Sequence, residues 1–183
     1  MTTKPVQDDQ HPDFLKQVRL ARKGDQSAFS FLIRGTQDRL FRFCSYLAGN
    51  PALAQDLCQD TYIKALEQLS KLKQPERFVG WLFKTSKNLF LDHIKGAKYR
   101  DHLSIDSIAE VPDTLGLPEG REIAIQIHQA MRDLTAEERM ILLLVDLEGY
   151  TYAETAEIIG ISESNIRFKL HHIRKAFAVR YQE

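Results

Sequence analysis

Hydrophobic positions recur with helical spacing from Asp13 to about Lys98, and strand-like alternation is missing throughout. The pattern breaks at Gly24-Asp25, Gly49-Asn50-Pro51 and Gln74-Pro75, which are turn dipeptides or helix N-terminal signals. Pro51 to Leu69 predicts a helix with a buried stripe of Cys58, Tyr62, Ala65, Leu66 and Leu69. Arg77 to about Lys98 predicts another, with Phe78, Trp81, Leu82, Thr85 and Leu89 facing inward. The periodicity fades over Asp101 to Gly120, where Pro112, Gly116, Pro118 and Gly120 point to an extended linker. A helix from about Arg121 to Asp133 follows. The expected fold is all-α: a disordered tail over 1–12, a helical domain over 13–100, a flexible acidic linker over 101–120 and a second small helical domain over 121–183.

The sharpest local pattern lies near the C-terminus. Thr151 and Glu154 fit a capping box that opens one helix, and Ser162 fits the N-cap of the next. Between them, Gly160 is expected to admit a sharp turn that a side chain would obstruct, and Ala156 to let two helices cross closely. In the second helix Ile166, Leu170, Ile173 and Phe177 form one apolar stripe. Asn165, Phe168, His171, His172 and Lys175 lie opposite it. An apolar back and a polar, cationic front are what a DNA recognition helix needs. Arg167, Lys169, Arg174, Lys175 and Arg180 add positive charge with no acid among them in that segment.

Charge complicates that reading. The chain has 25 Lys and Arg against 25 Asp and Glu, a formal net charge of zero, whereas phosphate neutralisation supplies most non-specific DNA affinity. The charges are sorted, however. Lys84, Lys87, Lys95, Lys98 and Arg100 form a basic block, and 101–120 holds five acids and no Lys or Arg. Weak DNA binding alone, with a partner that presents the DNA, is the expectation. The 43% apolar share and 27% charged share suit a globular protein. No apolar run is long enough for a membrane span and no signal peptide opens the chain, so a cytoplasmic protein without membrane insertion is expected. Cys44 and Cys58 are read as isolated, reduced core thiols.

Two further faces carry chemistry. On the Pro51–Leu69 helix, Asp56, Gln59, Asp60 and Glu67 gather in a narrow arc with Ile63 among them. An apolar residue set inside acids suits docking on a basic protein partner. On the Arg77–Lys98 helix, Lys84, Asn88, Leu91 and Lys95 share a face: ammonium groups suit phosphate and an amide suits a base edge. The preceding loop, Lys71 to Pro75, has the composition to hold an unstacked base.

Three strings, KGDQSAFSFLIRGTQDRLFRF, LAQDLCQDTYIKALEQL and RFVGWLFKTSKNLFLDHI, followed by the helix–turn–helix of Leu134 to Phe177, together resemble the sigma-70 superfamily. The likeness is to its compact extracytoplasmic-function (ECF) sigma factors, over about Phe14–Arg100 (region 2) and Arg121–Phe177 (region 4). The resemblance implies partners: core RNA polymerase through its β′ clamp and β flap, promoter DNA, and an anti-sigma factor. It implies that Asp56, Gln59, Asp60 and Ile63 dock on the polymerase. Leu72 and Lys73 would flank the pocket for a flipped −10 base, Asn88 would read it, and Lys84 and Lys87 would lie near phosphates. Arg167, Phe168, His171, His172 and Lys175 would read the −35 element, with Thr151 and Tyr152 near a phosphate. The linker would run through the basic polymerase cleft. Three positions depart from the common pattern: Gly35 and Leu72, where an aromatic often stands, and the recognition helix itself, with Ser164-Asn165-Ile166 then Arg167-Phe168-Lys169. At Gly35 a looser helix pair is expected.

Two other readings compete. A stand-alone helix–turn–helix regulator would need a dimer and a palindromic operator, and the acidic face and zero net charge argue against it. A helical enzyme would need a nucleophile–base pair, a metal cluster or a phosphate loop, and the sequence has none of these patterns; no cofactor is expected.

Overall fold

The computed structural model describes the backbone of residues 11–100, 131 and 134–180, with side chains up to 96 in the first stretch and up to 175 in the last. Residues 1–10 of the expected tail, the linker, the 121–133 helix apart from Met131, and the side chains of Lys98, Arg100, Phe177 and Arg180 lie outside the described residues. No strand occurs among the described residues. The chain divides into two compact units, Met1–Cys44 with Gln55–Arg100 and Ser45–Ala54 with Asp101–Glu183.

Four helices make up the N-terminal part: α1 (Pro12–Ala21), α2 (Gln26–Ala48), α3 (Pro51–Gln68) and α4 (Phe78–Arg100). Their starts follow from local chemistry. Asp25 accepts from the Ala28 amide at 2.9 Å to cap α2, and Asn50 accepts from the Leu53 amide at 3.1 Å ahead of Pro51. Two 3₁₀ turns, Leu69–Lys71 and Pro75–Arg77, carry the chain from α3 into α4. Val18, Leu32, Phe43, Leu57, Ala65, Phe78 and Phe83 are buried. The Phe43 and Phe83 rings sit 4.8 Å apart. Each such large apolar side chain contributes about 1.5–3 kcal/mol on burial.

Polar residues within these helices bond to their own turns. Thr36 donates to the Leu32 carbonyl at 2.7 Å and Thr61 to that of Leu57 at 2.6 Å. The Thr36 proton being committed, the Tyr62 hydroxyl donates to Thr36 at 2.8 Å. Burial pushes the Tyr62 phenol up to about 12. The two cysteines are not isolated from one another. A hydrogen bond with Cys58, then burial, raises the Cys44 thiol well above its ordinary value, and both are free thiols.

Two predicted faces are rotated. On α3 the buried line is Ala54, Leu57, Thr61 and Ala65, whereas Leu66 is 65% exposed. Leu66 stands one residue, about 100°, beyond Ala65, so its hydrophobicity misled the stripe. On α4 the inner face centres on Val79, Phe83, Ser86 and Phe90, with Phe78 and Leu82 beside them; Trp81, Thr85 and Leu89 are only half-buried flanks.

Gly35 does not mark a loose contact. The Phe14 ring, itself buried, lies 3.6 Å from where a Cβ at Gly35 would stand, an ordinary van der Waals distance. Gly35→Ala is therefore expected to stabilise the protein by about 0.5–1 kcal/mol, through helix propensity alone. Thermal denaturation of the full chain checks this, and a lowered melting temperature would contradict it.

The C-terminal part holds α5 (Ala136–Leu142), running into a π-helical turn over Leu143–Leu147, then α6 (Tyr152–Ile159) and α7 (Glu163–Arg180). A capping box, Thr135 with Glu138, starts α5. The Thr135 amide and hydroxyl bonds hold the Glu138 carboxyl below the usual range. Met140, Ile141, Leu143 and Leu144 of this segment, Ile158 and Ile159 of α6, and Ile166, Leu170 and Ile173 of α7 are buried.

Candidate nucleic-acid interface and docking face

The helix–turn–helix forms as its sequence dictates. Thr151 and Glu154 close a full capping box, and the Asn165 amide donates to Ser162 Oγ at 3.3 Å. The amides of Gly160 and Ile161 both reach the Ala156 carbonyl, at 2.8 and 3.2 Å, and Ala156 is buried. Gly160 is required for a different reason than side-chain obstruction. A Cβ there would meet nothing within 4 Å, but its φ of +91° is left-handed, which L residues with side chains rarely adopt.

On α7, Asn165, Phe168, His171, His172 and Lys175 are all exposed while Ile166, Leu170 and Ile173 are at most 2% exposed. Phe168 is 65% exposed. Glu163, Ser164, Arg167, Phe168, His171 and His172 line one open groove.

The expected run of unpaired cations is corrected. Arg167 bonds to Glu163 at 3.2 Å and lies 5.7 Å from the Tyr152 ring. Lys169 pairs with Glu137 at 3.0 Å. Arg174 makes a two-point bond to Asp146, its Nε at 3.1 Å, which raises the guanidinium above its ordinary value. Lys169 and Arg174 thus tie α7 to the α5 segment. Lys175 forms no ion pair with a described residue. Nothing in local periodicity reveals these ties, because Asp146 is 28 residues from Arg174. The α5 capping box was legible as Thr-x-x-Glu and was missed.

At the start of α6, the Thr151 hydroxyl donates to Glu154 at 2.7 Å and the Thr151 amide does so at 2.8 Å. Those groups are committed to the cap. Tyr152, half-buried, and Ala153 hold the next amides, which the helix itself leaves unsatisfied.

In the first unit, Asp56, Gln59 and Asp60 are exposed on one arc of α3 with Ile63, which is 55% exposed. Leu66 extends the apolar part of that face. On α4, Lys84, Asn88 and Lys95 are exposed along one line and Leu91 is half-buried. Lys87 departs from expectation. It is only 8% exposed, because it lies toward the buried Phe83 and Phe90 rather than with Lys84 and Asn88. Lys73 is exposed, and Leu72 is half-buried and extended, its amide bonded to the Leu69 carbonyl at 3.0 Å.

An all-helical N-terminal unit with an exposed acidic–apolar face thus precedes a helix–turn–helix with an exposed polar and aromatic face. The family comparisons are specific. The Sigma-70 region 2 family matches residues 32–99, and the Sigma-70, region 4 family matches residues 124–177. The chain is 29% identical over 163 residues to the ECF RNA polymerase sigma factor SigE of Mycolicibacterium smegmatis, covering 83% of this chain and 62% of that one. It is 25% identical over 177 residues to SigW of Bacillus subtilis, covering 88% and 92%. The fold is similar to the sigma factor RpoE of Bartonella quintana, solved in complex with the anti-sigma factor NepR, with TM-score 0.72, 23% identity and coverage of 84% and 96%. It is also similar to CnrH in complex with the cytosolic domain of CnrY, with TM-score 0.69, 20% identity and coverage of 92% and 96%. The chain belongs to the sigma-70 family and is an ECF sigma factor within it, carrying regions 2 and 4 in order over well more than half its length.

Proposed function

We propose that this chain binds core RNA polymerase through the Asp56–Gln59–Asp60–Ile63 face of α3 and directs it to promoters through α4 and α7. Its domains are 13–100 and 121–183, joined by the acidic segment between them. It acts where polymerase acts, in the cytoplasm, and supplies specificity rather than a reaction of its own. Among the described residues no helix is long and apolar enough to cross a membrane. The observation that carries the reading is the two-sided α7, fully buried along one stripe and presenting Phe168, His171, His172 and Lys175 along the other.

On α4, Lys84 neutralises phosphate and Asn88 reads an extruded −10 base beside Leu72 and Lys73. Flipping costs a few kcal/mol, offset by pocket contacts and by the polymerase holding the strands apart. Lys87, being buried, is given no phosphate. An anti-sigma factor covering these surfaces would silence the protein by competition. The relative from Bartonella quintana was solved with such a partner.

Footprinting of the full chain with and without core polymerase tests the proposal. With core, protection of an upstream element and permanganate-reactive thymines downstream are expected. Alone, the chain should give neither. Strong protection of a palindromic duplex without core would instead mark a stand-alone regulator.

A further inference from the structure

His172 Nδ1 lies 2.9 Å from the carbonyl oxygen of Phe168. A carbonyl has no proton to give, so Nδ1 must be the donor and carry the ring hydrogen. In the neutral imidazole this leaves Nε2 bare, an acceptor on the exposed side of α7. The ring is held from two further sides: the Phe168 ring lies 4.3 Å away centre to centre, and His171 meets it edge-on at 5.7 Å. Both Phe168 and His172 are exposed and line the same groove.

A bare nitrogen repels phosphate oxygens, which are acceptors themselves. What it can accept from in a major groove is an exocyclic amine, N4 of cytosine or N6 of adenine. Beside it, the Phe168 ring can make no hydrogen bond but can pack on a thymine methyl. We infer that His172 and Phe168 form a paired reading head. In this head His172 accepts from an exocyclic amine of one −35 base, and Phe168 packs on the C5-methyl of a thymine nearby. Lys175, which forms no ion pair with a described residue, is left for phosphate. The inference rests on α7 entering the −35 major groove.

The test uses holoenzyme assembled from the full chain and core polymerase, on a promoter duplex with a functional −35 element. Each adenine there is replaced singly by purine, each cytosine by 2-pyrimidinone and each thymine by uracil, so only an amine or a methyl is lost. One amine deletion should weaken binding by the parent about three- to tenfold, and whether it is purine or pyrimidinone names the base. One thymine-to-uracil change should cost about fourfold. His172→Leu holoenzyme should be indifferent to that amine deletion alone, and Phe168→Ser to that methyl deletion alone. Both side chains are exposed, so core binding by each variant should match the parent. If the amine deletion hurts His172→Leu as much as the parent, His172 is not an acceptor and the inference fails. If no single-base change in the upstream element matters to any holoenzyme, α7 does not read it, and the underlying reading falls.

Discussion

Reversing charge at Asp56 and Asp60 together, as Asp56→Lys with Asp60→Lys, is expected to weaken core polymerase binding at least about a hundredfold. Like charges brought together across an interface cost several kcal/mol, and each 1.4 kcal/mol is tenfold in affinity. Both carboxylates are exposed on α3, away from the Ala54, Leu57, Thr61 and Ala65 line that holds the helix to its neighbours. Circular dichroism and melting temperature should therefore stay close to the parent. Competition against the parent for core polymerase measures the effect. A variant that competes as well as the parent would remove the docking role from this face and shift attention to other exposed surfaces.

Asn88→Ala is expected to slow open-complex formation about ten- to a hundredfold, the loss of one well-placed base contact. Core affinity should stay within about twofold, as for an exposed substitution remote from an interface. Asn88 is exposed on α4 between Lys84 and Lys95, on the side opposite the Val79–Ser86–Phe90 core. A permanganate time course on one promoter gives the opening rate, and a core titration gives the affinity. Equal loss in both would mean that Asn88 supports the fold rather than reading a base.

Much of this was legible because it is written in short-range chemistry. The helix breaks at Gly24, Gly49 and Pro75, the capping box at Thr151 and the two faces of α7 depend on neighbours within one or two turns. Apart from the α5 capping box, missed although local, and the reason for Gly160, the errors turned on distant partners. Leu66 and Lys87 show the limit most clearly. Each sits at the edge of a helical face, where a rotation of a fraction of a turn decides exposure, and the packing of other helices sets that rotation. The acids that meet Lys169 and Arg174 come from the α5 segment, so counting charge along α7 alone overstated its free positive charge. Those ties leave a recognition face richer in imidazole and aromatic groups than in free cations. That agrees with the proposal that this chain, of formal net charge zero, needs polymerase to hold it against DNA.

The most direct measurement is binding of the purified full chain to core RNA polymerase, followed by run-off transcription on a promoter library. One-to-one binding, with transcription from a definable subset that shares an upstream and a −10 element, is the expected result. Absence of core binding, together with tight binding of the free chain to a palindromic duplex, would contradict it.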